Sequence, residues 1–127
     1  MARTIVTSEK APAAIGPYSQ AIKAGDFVFV SGQIPIEPDS GTLITDDIQK
    51  ATRQVLTNIR QILISAGSTL ESIVKATIFL TDMNDFQRVN EAYAEFFPHE
   101  PPARACIEVS RLPKDAIIEI EAVALIK

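Results

Sequence analysis

Pro102-Ala103-Arg104-Ala105-Cys106-Ile107-Glu108-Val109 leads through Leu112-Pro113-Lys114-Asp115 into Ile118-Glu119-Ile120-Glu121-Ala122. Residues 104–110 and 117–126 have the period of strands, in which alternate side chains point to opposite faces. That alternation puts Arg104, Cys106 and Glu108 on one face of the first strand. In the second it puts Glu119, Glu121, Val123 and Leu125 on one face and Ile118, Ile120, Ala122 and Ala124 on the other. Charges on strands that otherwise read as core are costly unless they are paired or used. The expectation is that Arg104 anchors a small carboxylate-binding pocket and that Glu119 works beside it. Two strands closing a chain that already holds strands and helices make this an α+β fold.

Upstream, residues 3–8 can form a short strand. Ala11-Pro12-Ala13-Ala14-Ile15-Gly16-Pro17-Tyr18-Ser19 is a loop, since two prolines and a glycine break any regular pattern. Residues 20–23 and 27–33 read as strands joined by the hairpin turn Ala24-Gly25-Asp26. Phe27-Val28-Phe29-Val30 is apolar on both faces, as in a central strand. A long helix is predicted from Thr45 or Asp46, with Asp46 and Gln49 spaced as a capping box. Its buried stripe is Ile48, Ala51, Val55, Ile59, Ile62 and Ala66, and Gly67 is its stop signal. Residues 73–80, rich in β-branched side chains, form the next strand. Asn84 or Asp85 caps a second helix with stripe Phe86, Val89, Tyr93, Phe96 and Phe97, closed by Pro98. The order is β-β-β-α-β-α-β-β. It suggests one mixed sheet with both helices on one face, leaving the other face for a second subunit to cover.

The 127 residues, 46% hydrophobic and 22% charged, suit one domain spanning 1–127 with a packed core. A net charge of −4 argues against a surface built to track phosphates. One cysteine forms no internal disulfide, and one histidine precludes a histidine-rich metal site. No secretion signal and no stretch long enough to span a membrane is evident, so the default expectation is a cytoplasmic protein.

Several residues admit two readings. Tyr18, at the end of a proline-rich loop, either packs or lies over a ligand. Ser31-Gly32-Gln33 ends a strand, where the glycine marks a bulge or the close approach of a ligand. Asn90 lies beside an apolar helical stripe; its amide bonds locally or faces a pocket. Glu119 is an ion-pair partner of a lysine or of Arg104, or else a buried acid whose pKa is raised toward neutrality. Cys106 has no histidine near it in sequence and reads as a buried thiol lining the pocket rather than a nucleophile. His99 reads as an exposed loop residue.

Gly16-Pro17-Tyr18-Ser19-Gln20-Ala21, Phe29-Val30-Ser31-Gly32-Gln33, Asn84-Asp85-Phe86, Pro102-Ala103-Arg104-Ala105-Cys106, Arg111-Leu112-Pro113-Lys114 and Ile118-Glu119-Ile120-Glu121-Ala122 resemble the signature segments of the RidA (YjgF-type) reactive-intermediate deaminases, end to end and in order. The resemblance implies a chorismate-mutase-like fold and a homotrimer with a central barrel-like core and pockets at the subunit interfaces. It implies hydrolysis of short-chain enamino and imino acids, such as 2-aminoacrylate and 2-iminobutyrate, to 2-keto acids and ammonia, with no cofactor and no metal. On that likeness Arg104 grips the substrate carboxylate, Glu119 handles the water, and Tyr18, Ser31, Gly32, Asn90 and Cys106 complete the pocket. The link from Phe97 to Pro102 is shorter than in many relatives, which bears on one pocket wall and the side-chain size preferred there. Two other functions fit the same pattern. One is a non-catalytic trimer that binds 2-keto acids in a regulatory or chaperone-like role. The other is an endoribonuclease or translation inhibitor, against which the acidic charge and the lack of a basic-aromatic stripe both weigh.

Overall fold

The computed structural model describes residues 2–127. Six strands form one sheet: β1 (Thr4–Val6), β2 (Ala21–Ala24), β3 (Phe27–Gln33), β4 (Ile73–Leu80), β5 (Ala103–Glu108) and β6 (Ile118–Leu125). Two helices, α1 (Ile48–Ser65) and α2 (Phe86–Ala94), complete the predicted order. The sheet order is β1-β2-β3-β6-β4-β5. All neighbours are antiparallel except β4 and β5, which α2 connects as a parallel pair.

α1 forms because its apolar residues recur on one side. Ile48, Ala51, Val55, Ile59 and Ile62 are all buried, and Leu56 and Leu63 widen the stripe. The cap differs by one residue from the expected box. Asp47, in extended conformation, accepts from the Gln49 and Lys50 amides, while Gln49 turns its side chain across to Arg88 O and Glu91 on α2. Gly67, at φ 79°, ends the helix as predicted: its amide bonds to Ile64 O and that of Ser68 to Leu63 O. α2 also starts differently. Asp85 makes no side-chain cap bond; Asp82 instead caps a 3-10 turn over Met83–Asp85 by accepting from Asn84 N. The helix stops at Ala94, short of Pro98.

Both helices cover one sheet face. Val28, Val30, Ala76, Ile78, Ile118, Ile120 and Ala124 point into that core with Val55, Ile59, Ile62 and Val89. A second small cluster joins Ile34, Ile36 and Ala116 with Leu43 and Leu112. It is tied to α1 by Asn58, whose amide donates to Ile36 O at 3.0 Å. The other sheet face carries large apolar side chains that no other described residue covers: Phe27, Phe29, Ile107 and Leu125 are exposed, Phe29 by 47%. Among the described residues no helix is long and apolar enough to cross a membrane.

Candidate active site

The register of β6 decides which carboxylates leave the core. Ile118, Ile120, Ala122 and Ala124 pair into the helix-covered face, so Glu119 and Glu121 emerge on the open one. Glu119 stands opposite Phe79 of β4. On its other side β3 bulges: Val30 pairs with Ala122 but Gln33 pairs with Ile120, leaving one extra residue in the Ser31-Gly32 stretch. The Glu119 carboxylate lies in the space this opens; a Cβ on Gly32 would sit 1.8 Å from its Oε2. Of the two readings of Gly32 the structure has the bulge, and the group that comes close to the glycine is the side chain of Glu119.

Around Glu119 lies a cavity of about 440 Å³, within the range of small-molecule sites. Tyr18, Gln20, Ser31, Gly32, Gln33 and Pro113 line it with Glu119 and Glu121. Ser31 Oγ donates to Ser19 O at 2.6 Å and its amide donates to Gln20 O, fixing the wall. Tyr18 is exposed, and its hydroxyl accepts from Ile15 N at 3.2 Å. Gln20, whose role the sequence did not disclose, is buried and ties this loop down. Its Oε1 accepts from Ser8 N at 2.6 Å, and its Nε2 donates to Pro12 O at 2.7 Å and Ser8 O at 3.1 Å.

Burial, and after it the neighbouring Glu121 carboxylate, pushes the pKa of Glu119 above its ordinary value. Among the described residues no lysine or arginine pairs with it, so the ion-pair reading has no counterpart here.

Arg104 belongs to a second cavity, of about 390 Å³, with Asn90, Tyr93, Phe97, Pro101 and Pro102. It pairs in register with Ala76, a core residue, and so points to the helix-covered side of β5, toward α2. Arg104 and Glu119 therefore stand on opposite faces of the sheet, and one chain does not bring them together. Among the described residues no carboxylate pairs with Arg104. Its guanidinium lies over the rings of Tyr93, 5.0 Å from the centroid, and Phe86, at 5.6 Å. Among the described residues Asn90 Oδ1 and Tyr93 Oη are buried with no hydrogen-bond partner. Burial raises the Tyr93 pKa, against the opposing pull of Arg104, so its hydroxyl stays protonated.

Cys106 follows Arg104 on the same face, packs against the core and lines neither cavity. Burial pushes its thiol pKa up, with Arg104 opposing, which is the reverse of what an activated nucleophile needs. Of the expected residues, then, Tyr18, Ser31, Gly32 and Glu119 share one cavity, and Arg104 and Asn90 share the other.

The sequence profile of the Endoribonuclease L-PSP family matches residues 8–126. A RutC family protein of Pyrococcus horikoshii is 56% identical over 122 residues, covering 96% of this chain and 97% of its own. The chloroplastic Reactive Intermediate Deaminase A of Arabidopsis thaliana is 48% identical over 122 residues, 96% of this chain and 65% of that one. Among solved structures, Escherichia coli TdcF with bound serine superposes with a TM-score of 0.93 at 43% identity, over 98% of this chain and 99% of that one.

Proposed function

Because this chain belongs to the Endoribonuclease L-PSP family, the RidA/YjgF group, we propose that it hydrolyses short-chain 2-imino acids, and the 2-enamino acids that tautomerise to them, to 2-keto acids and ammonia. The observation that carries the reading is an arginine in a cavity wall with no carboxylate of its own among the described residues. A guanidinium offers a planar fork that matches a carboxylate with two hydrogen bonds and stays charged at every relevant pH. The name of the Arabidopsis relative supports the reaction class.

The chemistry needs little beyond positioning. The imine is protonated and strongly electrophilic next to the carboxylate. Water adds to its carbon as Glu119 takes one proton and passes it to nitrogen; Glu119 then takes the remaining hydroxyl proton as the carbonyl forms and ammonia departs, and releases it to the ammonia or to solvent. A carboxylate with a raised pKa suits both halves of that relay. Tyr18, Ser31 and Gly32 wall the water side; Asn90 stands beside Arg104. Cys106 supports the strand beneath Arg104 rather than attacking the substrate.

A working site needs Arg104 and Glu119 within one small molecule's length. β5 is an edge strand and the open face is apolar, so a second copy of the chain can bring its Arg104 to this chain's Glu119. The proposed assembly is a homotrimer with a chorismate-mutase-like arrangement and three interface pockets. Size measurement by light scattering tests it; a stable monomer with full activity overturns it.

The reaction is tested by generating 2-aminoacrylate in situ with a serine dehydratase and timing pyruvate. The expected result is acceleration by the wild type and loss of it in Arg104→Ala, for which truncating a buried charge contact costs on the order of 2–5 kcal/mol. Equal rates with and without protein overturn the assignment.

A further inference from the structure

Arg104 is held by its faces. Phe86 and Tyr93 lie seven residues apart on α2, two turns along one side, and both rings lie under the same guanidinium, at 5.6 and 5.0 Å. Tyr93 is buried and backed by Phe97, whose ring centroid is 4.6 Å away. Phe86 is different: it is 37% exposed and belongs to neither buried cluster. It stands at the first turn of α2 with its ring under the Arg104 guanidinium. The start of α2 is also tied to the strand that carries Arg104. Glu108, on β5, accepts from Met83 N at 2.8 Å, in the turn immediately before Phe86.

We propose that Phe86 and Tyr93 are positioning residues that hold the Arg104 guanidinium by cation–π contact and so leave its N–H edge free for a small planar carboxylate. The inference rests on the reading of the Arg104 cavity as the carboxylate site. Its physical basis is that an arginine fixed by an acidic side chain has its donor edge consumed. An arginine fixed by aromatic rings keeps that edge, and the donors a ligand needs, with the rotamer already restricted before binding. Lysine at position 104 would keep the charge but lose both the fork and the flat face.

Titration calorimetry with 2-oxobutanoate on the whole protein, with KM and kcat measured alongside, tests this. Phe86→Leu removes the exposed ring at little risk to folding; it should weaken 2-oxobutanoate binding and raise KM by about three- to tenfold, the span of a partly exposed cation–π contact, with kcat nearly unchanged. Phe86→Tyr restores a ring and should recover most of the loss. In an Arg104→Gln background, Phe86→Leu should cost nothing further, because the cation is gone. Unaltered binding and KM in Phe86→Leu overturn the inference alone. A wild type that binds no 2-oxobutanoate overturns the reading of the cavity and the inference with it.

Discussion

Gly32 and Glu119 fit as a notch and its occupant: a Cβ built on Gly32 meets Glu119 Oε2 at 1.8 Å, Cδ at 2.7 Å and Cγ at 3.1 Å. The requirement for glycine here is space and not backbone conformation, since Gly32 is not among the positive-φ glycines. All three clashing atoms belong to one side chain that can swing away. Gly32→Ala should therefore fold with a loss of stability within about 1 kcal/mol, relieved by moving the carboxylate. Deaminase activity should fall at least about tenfold, because displacement of a catalytic group by an ångström is enough to lose that much. Thermal melts and kcat measured on the same preparation check both halves. Full activity with Glu119 displaced would sink the proposed role of the carboxylate.

Glu119 also makes a prediction about pH. Its pKa is raised in the folded state, from 4.5, by burial first and by Glu121 second. The folded protein therefore holds the proton more tightly than the unfolded chain. Stability from this group is fully present below pH 4.5 and is lost as pH rises through the folded pKa. Glu119→Gln removes that loss, so its melting temperature should exceed the wild type's at neutral pH, with the gap closing in acid. Its activity should be abolished. Glu121→Gln removes the like charge and should shift the acidic limb of the kcat/KM profile to lower pH. No gain of stability in Glu119→Gln at neutral pH would contradict the burial argument.

Much of this was legible in the chain. The β-β-β-α-β-α-β-β order follows from periods of two and of 3.6, and the alternation along 118–125 assigns Glu119 and Ile120 to opposite faces as found. The cap of α1 was misplaced by one residue because Asp46 and Asp47 carry the same carboxylate and only backbone conformation separates them. What the sequence could not show is which strands are neighbours. That β5 lies at the edge beyond β4, turning Arg104 toward α2 and away from Glu119, is a fact of tertiary pairing. Phe86 and Tyr93 read as core because an apolar stripe at helical spacing looks the same whether it meets leucine or a guanidinium. Gln20 was missed for a similar reason: a glutamine bonding to backbone twelve residues away leaves no local pattern.

Gln20 holds the loop that carries Tyr18 with bonds to Ser8 N, Ser8 O and Pro12 O. Gln20→Leu is close in size but leaves those buried backbone groups unpaired, at a cost of about 1–3 kcal/mol. The expected outcome is a lower melting temperature and fast amide exchange over residues 8–19, with α1 unaffected. Protection in that loop equal to the wild type's would show that other contacts hold it.

The turn before β6 stores backbone strain with no glycine to relieve it. Lys114 has φ 56° and Asp115 φ 58°, both in the left-handed region that costs an L-residue about 1–2 kcal/mol. Three features hold the turn there. Leu112 and Ala116 are anchored in the small cluster with Ile34 and Ile36; Asp115 N and Ala116 N bond to Leu112 O and Pro113 O; and Arg111 donates from Nε and Nη2 to Asp115 Oδ1. The side chain of Lys114 has no part in that fork, so Lys114→Gly removes strain without removing a contact. It should raise stability, net of the extra freedom of glycine in the unfolded chain, by about 0.5–1 kcal/mol, with activity retained. Asp115→Gly relieves the same kind of strain but also deletes the fork from Arg111, so its gain should be the smaller of the two. Because both ends of the fork are mostly exposed, salt should narrow the difference. Urea denaturation of the two variants at low and high ionic strength measures this ordering. A Lys114→Gly protein less stable than the wild type would mean that the turn is not strained in the folded chain.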